Sequence, residues 1–421
     1  VKNRKPLIIQ GARQVGKTWI MKEFGARFYE NTVYINFDNN KAMKDVFELD
    51  FDLKRILSAI KIEYGKSFQA ENTLIIFDEI QEAPKALASL KYFYENAPQY
   101  AIVAAGSLLG VALHQGTSFP VGKVDFLDLY PLNFREFLCA MGEKQFVSML
   151  DSCDTQMVTV FKTKYIERLR EYYFVGGMPE VVKDFSEKKD YNRVRAIQKN
   201  LINYYQQDFS KHAEIKLVPR LNLVWNSIPM QLAKENKKYI YGQVREGSRA
   251  KDFELAIQWL LDCGLIHKVQ RIQKPDLPLK AYIDFDAFKL FLVDIGLLIA
   301  MTDLDAKVII EGNKIFTEFK GSLTEQYILQ QLISDVGVIP YYYSTQNSKG
   351  EIDFLVQGKT SVIPIEVKAE ENLKAKSLKA FCEKYQPSYA VRTSMSDYRE
   401  QDWMTNIPLY AIKWIENYVN Q

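Results

Sequence analysis

Gly11-Ala12-Arg13-Gln14-Val15-Gly16-Lys17-Thr18 sets two glycines, a lysine and a hydroxyl at the spacing that cradles phosphates. The glycines let backbone N–H groups come close to the oxygens, and a helix starting at Lys17 adds a field that favours anions. In this reading Lys17 holds the β- and γ-phosphates, Thr18 ligates Mg²⁺, and the loop from Gly11 to Trp19 contacts the nucleotide. Further on, Leu74-Ile75-Ile76-Phe77 delivers Asp78 and Glu79. Asp78 then belongs to the magnesium shell, and Glu79 orients the attacking water. Two adjacent acids also make an ordinary solvated strand end, but beside a phosphate loop they point to ATP hydrolysis. Ser107, after Ala101–Ala105 and Gly106, is placed to sense the γ-phosphate.

A second set of acids lies near the C-terminus. Side chains alternate along a strand, so Glu366 and Lys368 share one face while Ile365 and Val367 take the other. A hairpin would bring Asp353 beside Glu366. Two carboxylates so placed bind Mg²⁺, and a lysine there can position water for attack on a phosphodiester. The same residues equally make a structural ion network.

The elements that must position these groups divide the chain into parts. Residues 1–145 alternate continuous apolar runs (Leu7–Ile9, Val33–Phe37, Leu74–Phe77, Ala101–Ala105) with helical patterns, as an α/β domain with a covered parallel sheet does. A helical region follows over 146–215, with one helix running from about Lys162 to Gly176-Gly177. Within 216–305, a helix over Ser248–Leu265 precedes two strand-like stretches, Leu265–Val269 and Ala281–Phe285, which outline a winged helix-turn-helix. Residues 306–421 read as a smaller α/β unit: helix Gly321–Asp335, a turn at Lys349-Gly350, strands Glu351–Val356 and Ser361–Val367, then helix Ser377–Tyr385.

With 55 Lys and Arg against 52 Asp and Glu, the charge balance neither demands nor excludes nucleic acid. Four scattered cysteines (Cys139, Cys153, Cys263, Cys382) give no zinc spacing or disulfide framework, which suits a reducing cytoplasmic compartment. The apolar stretch Phe291–Met301 carries Asp294 and falls short of the roughly 20 residues of a membrane span, so it reads as a buried element. His114, His212 and His267 stand apart, which argues against a catalytic histidine.

The phosphate loop, Leu74-Ile75-Ile76-Phe77-Asp78-Glu79-Ile80-Gln81 and Tyr130-Pro-Leu-Asn-Phe-Arg-Glu-Phe-Leu138 together resemble the AAA+ superfamily, and one prokaryotic branch of it in particular. The likeness continues in Gly176-Gly-Met-Pro-Glu180, in Phe288-Lys-Leu-Phe-Leu-Val-Asp-Ile-Gly-Leu-Leu298, and in Glu351-Ile-Asp-Phe354 with Pro364-Ile-Glu-Val-Lys368. It implies an ATPase domain using ATP and Mg²⁺, a winged-helix region, and a C-terminal domain similar to the PD-(D/E)xK nucleases. Asp353, Glu366 and Lys368 match that nuclease core, and Glu325 resembles its first acidic residue. A helix ahead of the first strand is expected in such a domain, so residues before Val1 are expected to complete it. The resemblance also implies a homo-oligomer with an arginine supplied to a neighbour's nucleotide. Lys123 stands where that arginine is expected and cannot make its bidentate clamp; Arg135 is the alternative.

Lys234, Lys237, Lys238, Arg245, Arg249 and Lys251, interleaved with Tyr239 and Tyr241, would give phosphate contacts to DNA, or form a solvated face. Tyr341-Tyr342-Tyr343 reads as strand core. The expected function is an ATPase coupled to a winged-helix and nuclease-like module acting on DNA. The alternatives are a nucleotide-controlled switch with an inactive nuclease fold, and a nuclease gated by ATP.

Overall fold

The structure, a computed structural model, describes residues 4–113, 119–234, 237–310, 317–345, 350–370 and 375–421. His114 and Lys349 lie outside the described residues. The chain divides into two compact units: Val1–Tyr130 with Trp259–Leu265, and Pro131–Gln258 with Ile266–Gln421.

The first unit is built on five parallel strands in the order β2-β3-β4-β1-β5: β1 Leu7–Gln10, β2 Asn31–Asn36, β3 Thr73–Asp78, β4 Ala101–Ala105 and β5 Asp125–Asp128. Every residue of β3 and β4 is buried, as expected of strands covered on both faces. On one side Ile75 and Phe77 pack with Phe37, Phe47 and Phe93; on the other Ile9, Leu74, Ile76 and Val103 pack with Met21. Sequence periodicity did not signal β5. All four of its residues are exposed, so this edge strand is held by its ladder to β1 and carries no apolar pattern.

The second unit contains the helices Lys162–Val175, Tyr191–His212, Val218–Leu232 and Thr317–Gln331, and an eight-stranded mixed sheet in the order β12-β13-β11-β10-β9-β8-β6-β7. Its strands are β6 Ile266–Ile272, β7 Ile283–Leu292, β8 Tyr341–Ser344, β9 Glu351–Gln357, β10 Val362–Val367, β11 Val391–Ser394, β12 Arg399–Glu400 and β13 Thr405–Pro408. The hairpin expected as a wing is therefore not free-standing. β6 and β7 pair antiparallel, and β6 runs parallel to β8, with Arg271 opposite Tyr342 and Ile272 opposite Tyr343. One sheet thus crosses the expected boundary at residue 305. Tyr341, Tyr342 and Tyr343 are buried in it.

Asp294 explains the apolar stretch around it. It caps the helix Ile295–Met301 by accepting from the Leu297 N–H at 3.1 Å, and its other oxygen accepts from the Gly177 N–H at 2.6 Å and from Gln330 Nε2 at 3.3 Å. Gly176-Gly177 and the Val293-Asp294-Ile295-Gly296 segment, far apart in sequence, therefore meet. Burial pushes the Asp294 carboxyl up to about 6 against those donors. Among the described residues, no helix is long and apolar enough to cross a membrane.

Candidate functional site

The phosphate loop joins the end of β1 to the helix Lys17–Phe28. Two of its residues show why glycine stands there. Gly11 has φ 140°, and a Cβ on it would lie 2.1 Å from the Leu129 carbonyl oxygen. Gly16, with φ 96°, turns the chain into the helix in a left-handed conformation that other residues adopt at a cost. The loop closes on its own lysine: Lys17 Nζ donates to the carbonyls of Gly11 and Ala12, both at 2.8 Å. Burial lowers this ammonium to about 8, although Glu79 and Asp78 pull the other way.

β3 runs parallel to β2 in a register that sets Asn36 opposite Asp78. Asp78 is buried, and three neutral donors surround it. Thr18 Oγ1 donates to Oδ2 at 2.7 Å, Tyr34 Oη to the same oxygen at 2.8 Å, and the Glu79 N–H to Oδ1 at 3.1 Å. Glu79 follows with φ 51° and ψ 46°, a left-handed conformation uncommon outside glycine and frequent at functional sites. Its Oε2 accepts from Gln81 Nε2 at 2.6 Å and lies 3.5 Å from Ser107 Oγ, beyond the end of β4. Lys17, Thr18, Asp78, Glu79 and Ser107 are thus brought to one end of the parallel sheet, as the sequence leads one to expect. Thr18 and Asp78 offer hard oxygen donors of the kind Mg²⁺ takes, so this donor set fits that ion. Trp19, included with the loop, is 66% exposed.

Sequence reasoning missed Tyr34 and Gln81. Tyr34 sits two residues before Asn36 on β2, which only the register brings near Asp78. Gln81 is two residues past Glu79, inside the quoted phrase, but its contact depends on the turn at Glu79. The segment Trp259–Leu265 was also unforeseen beside the loop: a Cβ on Gly264 would stand 3.1 Å from the Ala12 nitrogen.

The C-terminal residues assemble differently. Ile365 pairs with Phe354 across β9 and β10, which sets Asp353 and Glu366 at the next step of the hairpin, and Asp353 Oδ2 accepts from the Val367 N–H at 2.7 Å. Glu366 is paired with Lys368 Nζ at 2.7 Å and accepts from the Leu378 N–H at 3.3 Å. Glu325, from the helix Thr317–Gln331, binds Lys237 through Oε1, while its Oε2 stands 3.6 Å from Lys289. Lys289 in turn binds Glu351 at 2.5 Å. Burial opposes the charge on Glu325, but Lys237 and Lys289 hold it below the usual carboxylate range. Burial, then the nearby Glu325, pushes Asp353 up to about 7. Among the described residues no three His, Cys, Asp or Glu side chains gather as metal ligands. The four expected metal-site residues are neighbours on two strands and a helix. Lys368 stands beside Glu366 as the sequence sets it, and Lys237 occupies Glu325, a partner that a divalent cation there would have to displace.

Other expected residues have structural roles. Lys123 pairs with Glu95 at 3.0 Å, and Arg135 bridges Asp151 at 2.5 Å and Asp335 at 2.9 Å. In the basic stretch, Lys237 is committed to Glu325, and Tyr239 is buried, stacked on Phe288 at 5.6 Å. Arg245, Arg249 and Lys251 are exposed. Burial lowers His267 to about 4.

Residues 3–138 match the AAA domain family, residues 166–308 a domain of unknown function (DUF8612), and residues 320–412 another domain of unknown function (DUF4143). Among solved structures, the Walker-type ATPase of Pyrococcus abyssi is 14% identical, covering 71% of this chain and 91% of that one at a TM-score of 0.44. A structure of Drosophila ORC bound to DNA is 12% identical, covering 74% of this chain and 92% of that one at a TM-score of 0.24. No curated protein matches the chain. The first unit therefore carries an AAA-type P-loop ATPase domain, within an α/β sheet of parallel strands.

Proposed function

We propose that the chain binds ATP with Mg²⁺, hydrolyses it, and uses the cycle to rearrange its second unit, whose partner is DNA. The observation that carries the ATPase reading is the set at the sheet's end: the Thr18–Asp78 hydrogen bond with the Glu79 carboxylate between Gln81 and Ser107. On nucleotide binding, Lys17 would exchange the carbonyls of Gly11 and Ala12 for phosphate oxygens. Thr18 and Asp78 would hold Mg²⁺, which when bound supplies positive charge to the β- and γ-phosphates. Glu79 would orient water toward the γ-phosphorus, and Ser107, sharing its carboxylate, would register the loss of that phosphate. Support for coupling comes from Gly264 beside Ala12, since the helix Ala250–Asp262 leads directly into that segment. Support for DNA comes from the exposed Arg245, Arg249 and Lys251, whose contacts would be to phosphate and therefore salt-sensitive.

ATP turnover with Mg²⁺, with and without DNA, tests this on the intact protein beside Lys17→Ala and Glu79→Gln. Lys17→Ala should lose ATP binding. Glu79→Gln should bind ATP but turn over at least about 100-fold more slowly. DNA should stimulate the wild type. Tight binding with negligible turnover, unmoved by DNA, favours the second reading: a nucleotide-controlled switch whose nuclease-like fold is catalytically silent. The pairing of Glu325 with Lys237 and Lys289 favours that description of the C-terminal part.

A further inference from the structure

The acidic cluster on β7, β9 and the helix Thr317–Gln331 contains its own cations. Lys289 Nζ, on β7, is 0% exposed, lies 2.5 Å from Glu351 and 3.6 Å from Glu325, and stands 4.8 Å from the centre of the Tyr342 ring. Lys237 comes from a different place, the segment between the helices Val218–Leu232 and Tyr241–Val244, and binds the other oxygen of Glu325. Glu325 Oε2 is buried, and the ammonium facing it is that of Lys289 at 3.6 Å. A divalent cation at Glu325 would have to sit within a few ångströms of two ammonium groups. At an effective dielectric of about 20, one such repulsion at ~4 Å is worth a factor on the order of a thousand or more in affinity before solvent relaxation reduces it.

We propose that this chain keeps its C-terminal carboxylates free of metal with two internal ammonium groups: Lys289 as a fixed counter-ion, and Lys237 as a plug on Glu325. The inference rests on the nuclease-like reading of Asp353, Glu366 and Lys368, and it is independent of the ATPase reading. Lys289 is part of the sheet, and its withdrawal would leave Glu351 without its paired ammonium and Glu325 with Lys237 alone, which is destabilising. Lys237 approaches from a connecting segment and is the removable member. A lysine suits this task because its ammonium is a compact point charge on a flexible stem.

Mn²⁺ binding to the full chain, without nucleotide, tests the proposal by electron paramagnetic resonance and calorimetry. The probes are the wild type, Lys237→Met, Asp353→Asn and the double variant. The wild type should show no Mn²⁺ site that Asp353→Asn removes. Lys237→Met should gain one, bound at least about tenfold more tightly than anything in the wild type, and the double variant should lose it. A wild-type Mn²⁺ site abolished by Asp353→Asn would overturn the proposal while leaving the nuclease-like site intact. A folded Lys237→Met that gains no such site would overturn the role of Lys237. Should Lys237→Met fail to fold, the wild-type and Asp353→Asn titrations still decide, and ATP turnover measured alongside keeps this outcome separate from that of the ATPase reading.

Discussion

At the phosphate loop and at the C-terminal strand pair, lysines and carboxylates converge, yet they are paired in opposite ways. At the phosphate loop the charged groups are held by neutral partners. Lys17 donates to main-chain carbonyls, while Asp78 and Glu79 receive hydroxyls, an amide and a backbone N–H. In the second unit the ions neutralise one another: Glu325 with Lys237 and Lys289, Glu351 with Lys289, Glu366 with Lys368. Neutral donors are cheap to exchange, so the first site can trade its hydrogen bonds for a cation and phosphates with little rearrangement. Buried ion pairs are not cheap to break, because each partner left behind is an uncompensated charge. The first arrangement is that of a site awaiting a ligand, and the second that of a site already filled by its own side chains.

The largest effect expected from this difference is on stability. Glu325→Gln would take the paired carboxylate from Lys237 and leave Lys289 with Glu351 alone, and should cost about 3–5 kcal/mol, read as a lowered midpoint in chemical denaturation. Under about 1 kcal/mol, the pairing would be incidental and the contrast between the two sites would fail.

Asp294 sharpens the same point, because it is a buried carboxylate of the second unit held by N–H donors in the manner of the first. Asp294→Asn keeps one carbonyl acceptor and should cost only about 1 kcal/mol at pH 7. The sign of its pH dependence follows from its carboxyl, raised to about 6 in the fold from the ordinary 3.8. A raised acid favours the fold when protonated, so its contribution is complete below about 4 and is lost as pH rises through 6. Between pH 7 and pH 5 the wild type should therefore gain on Asp294→Asn by about 1 kcal/mol, measured from denaturation midpoints at the two pH values. An unchanged difference would mean that the amide and the carboxylate are equivalent there.

How far these arrangements could be read from the sequence depends on whether the partners are adjacent. The phosphate loop is one contiguous phrase, and its glycines, lysine and threonine carry their own geometry. Asp78 and Glu79 end an apolar run that could only be a buried strand, and the four apolar strands of the parallel sheet were legible for the same reason. The edge strand Asp125–Asp128 was not, since a strand held by its ladder needs no apolar face. In the second unit the alternation of Glu366 and Lys368 was legible, and so was the hairpin that carries Asp353. The counter-ions were not: Lys237 lies 88 residues before Glu325, in a stretch that reads as the basic face of a winged helix. Its segment is tied down two residues on, where the Tyr239 N–H donates to the Phe288 carbonyl of β7 at 2.8 Å, a long-range contact with no local signature.

The smallest effect probes the ATP site itself. Burial lowers Lys17 to about 8, so the ammonium is charged through neutral pH and loses its proton above that. Phosphates would hold the proton on, which makes protonated Lys17 a requirement for tight binding. ATP affinity should then be flat from pH 6.5 to about 7.5 and fall by up to about tenfold for each unit above 8. Calorimetry at pH 8.5 in buffers of different ionisation enthalpy should show proton uptake on binding. Lys289 carries no such dependence in this range, because, against the effect of burial, Glu325 and Glu351 hold its ammonium above the usual lysine range, and Lys237→Met, outside the phosphate loop, should leave the pH profile of ATP binding unchanged. A profile that stayed flat to pH 9.5 would mean that the phosphate lysine is also compensated by its neighbours, and the opposition between a waiting site and a filled one would have to be abandoned at its first residue.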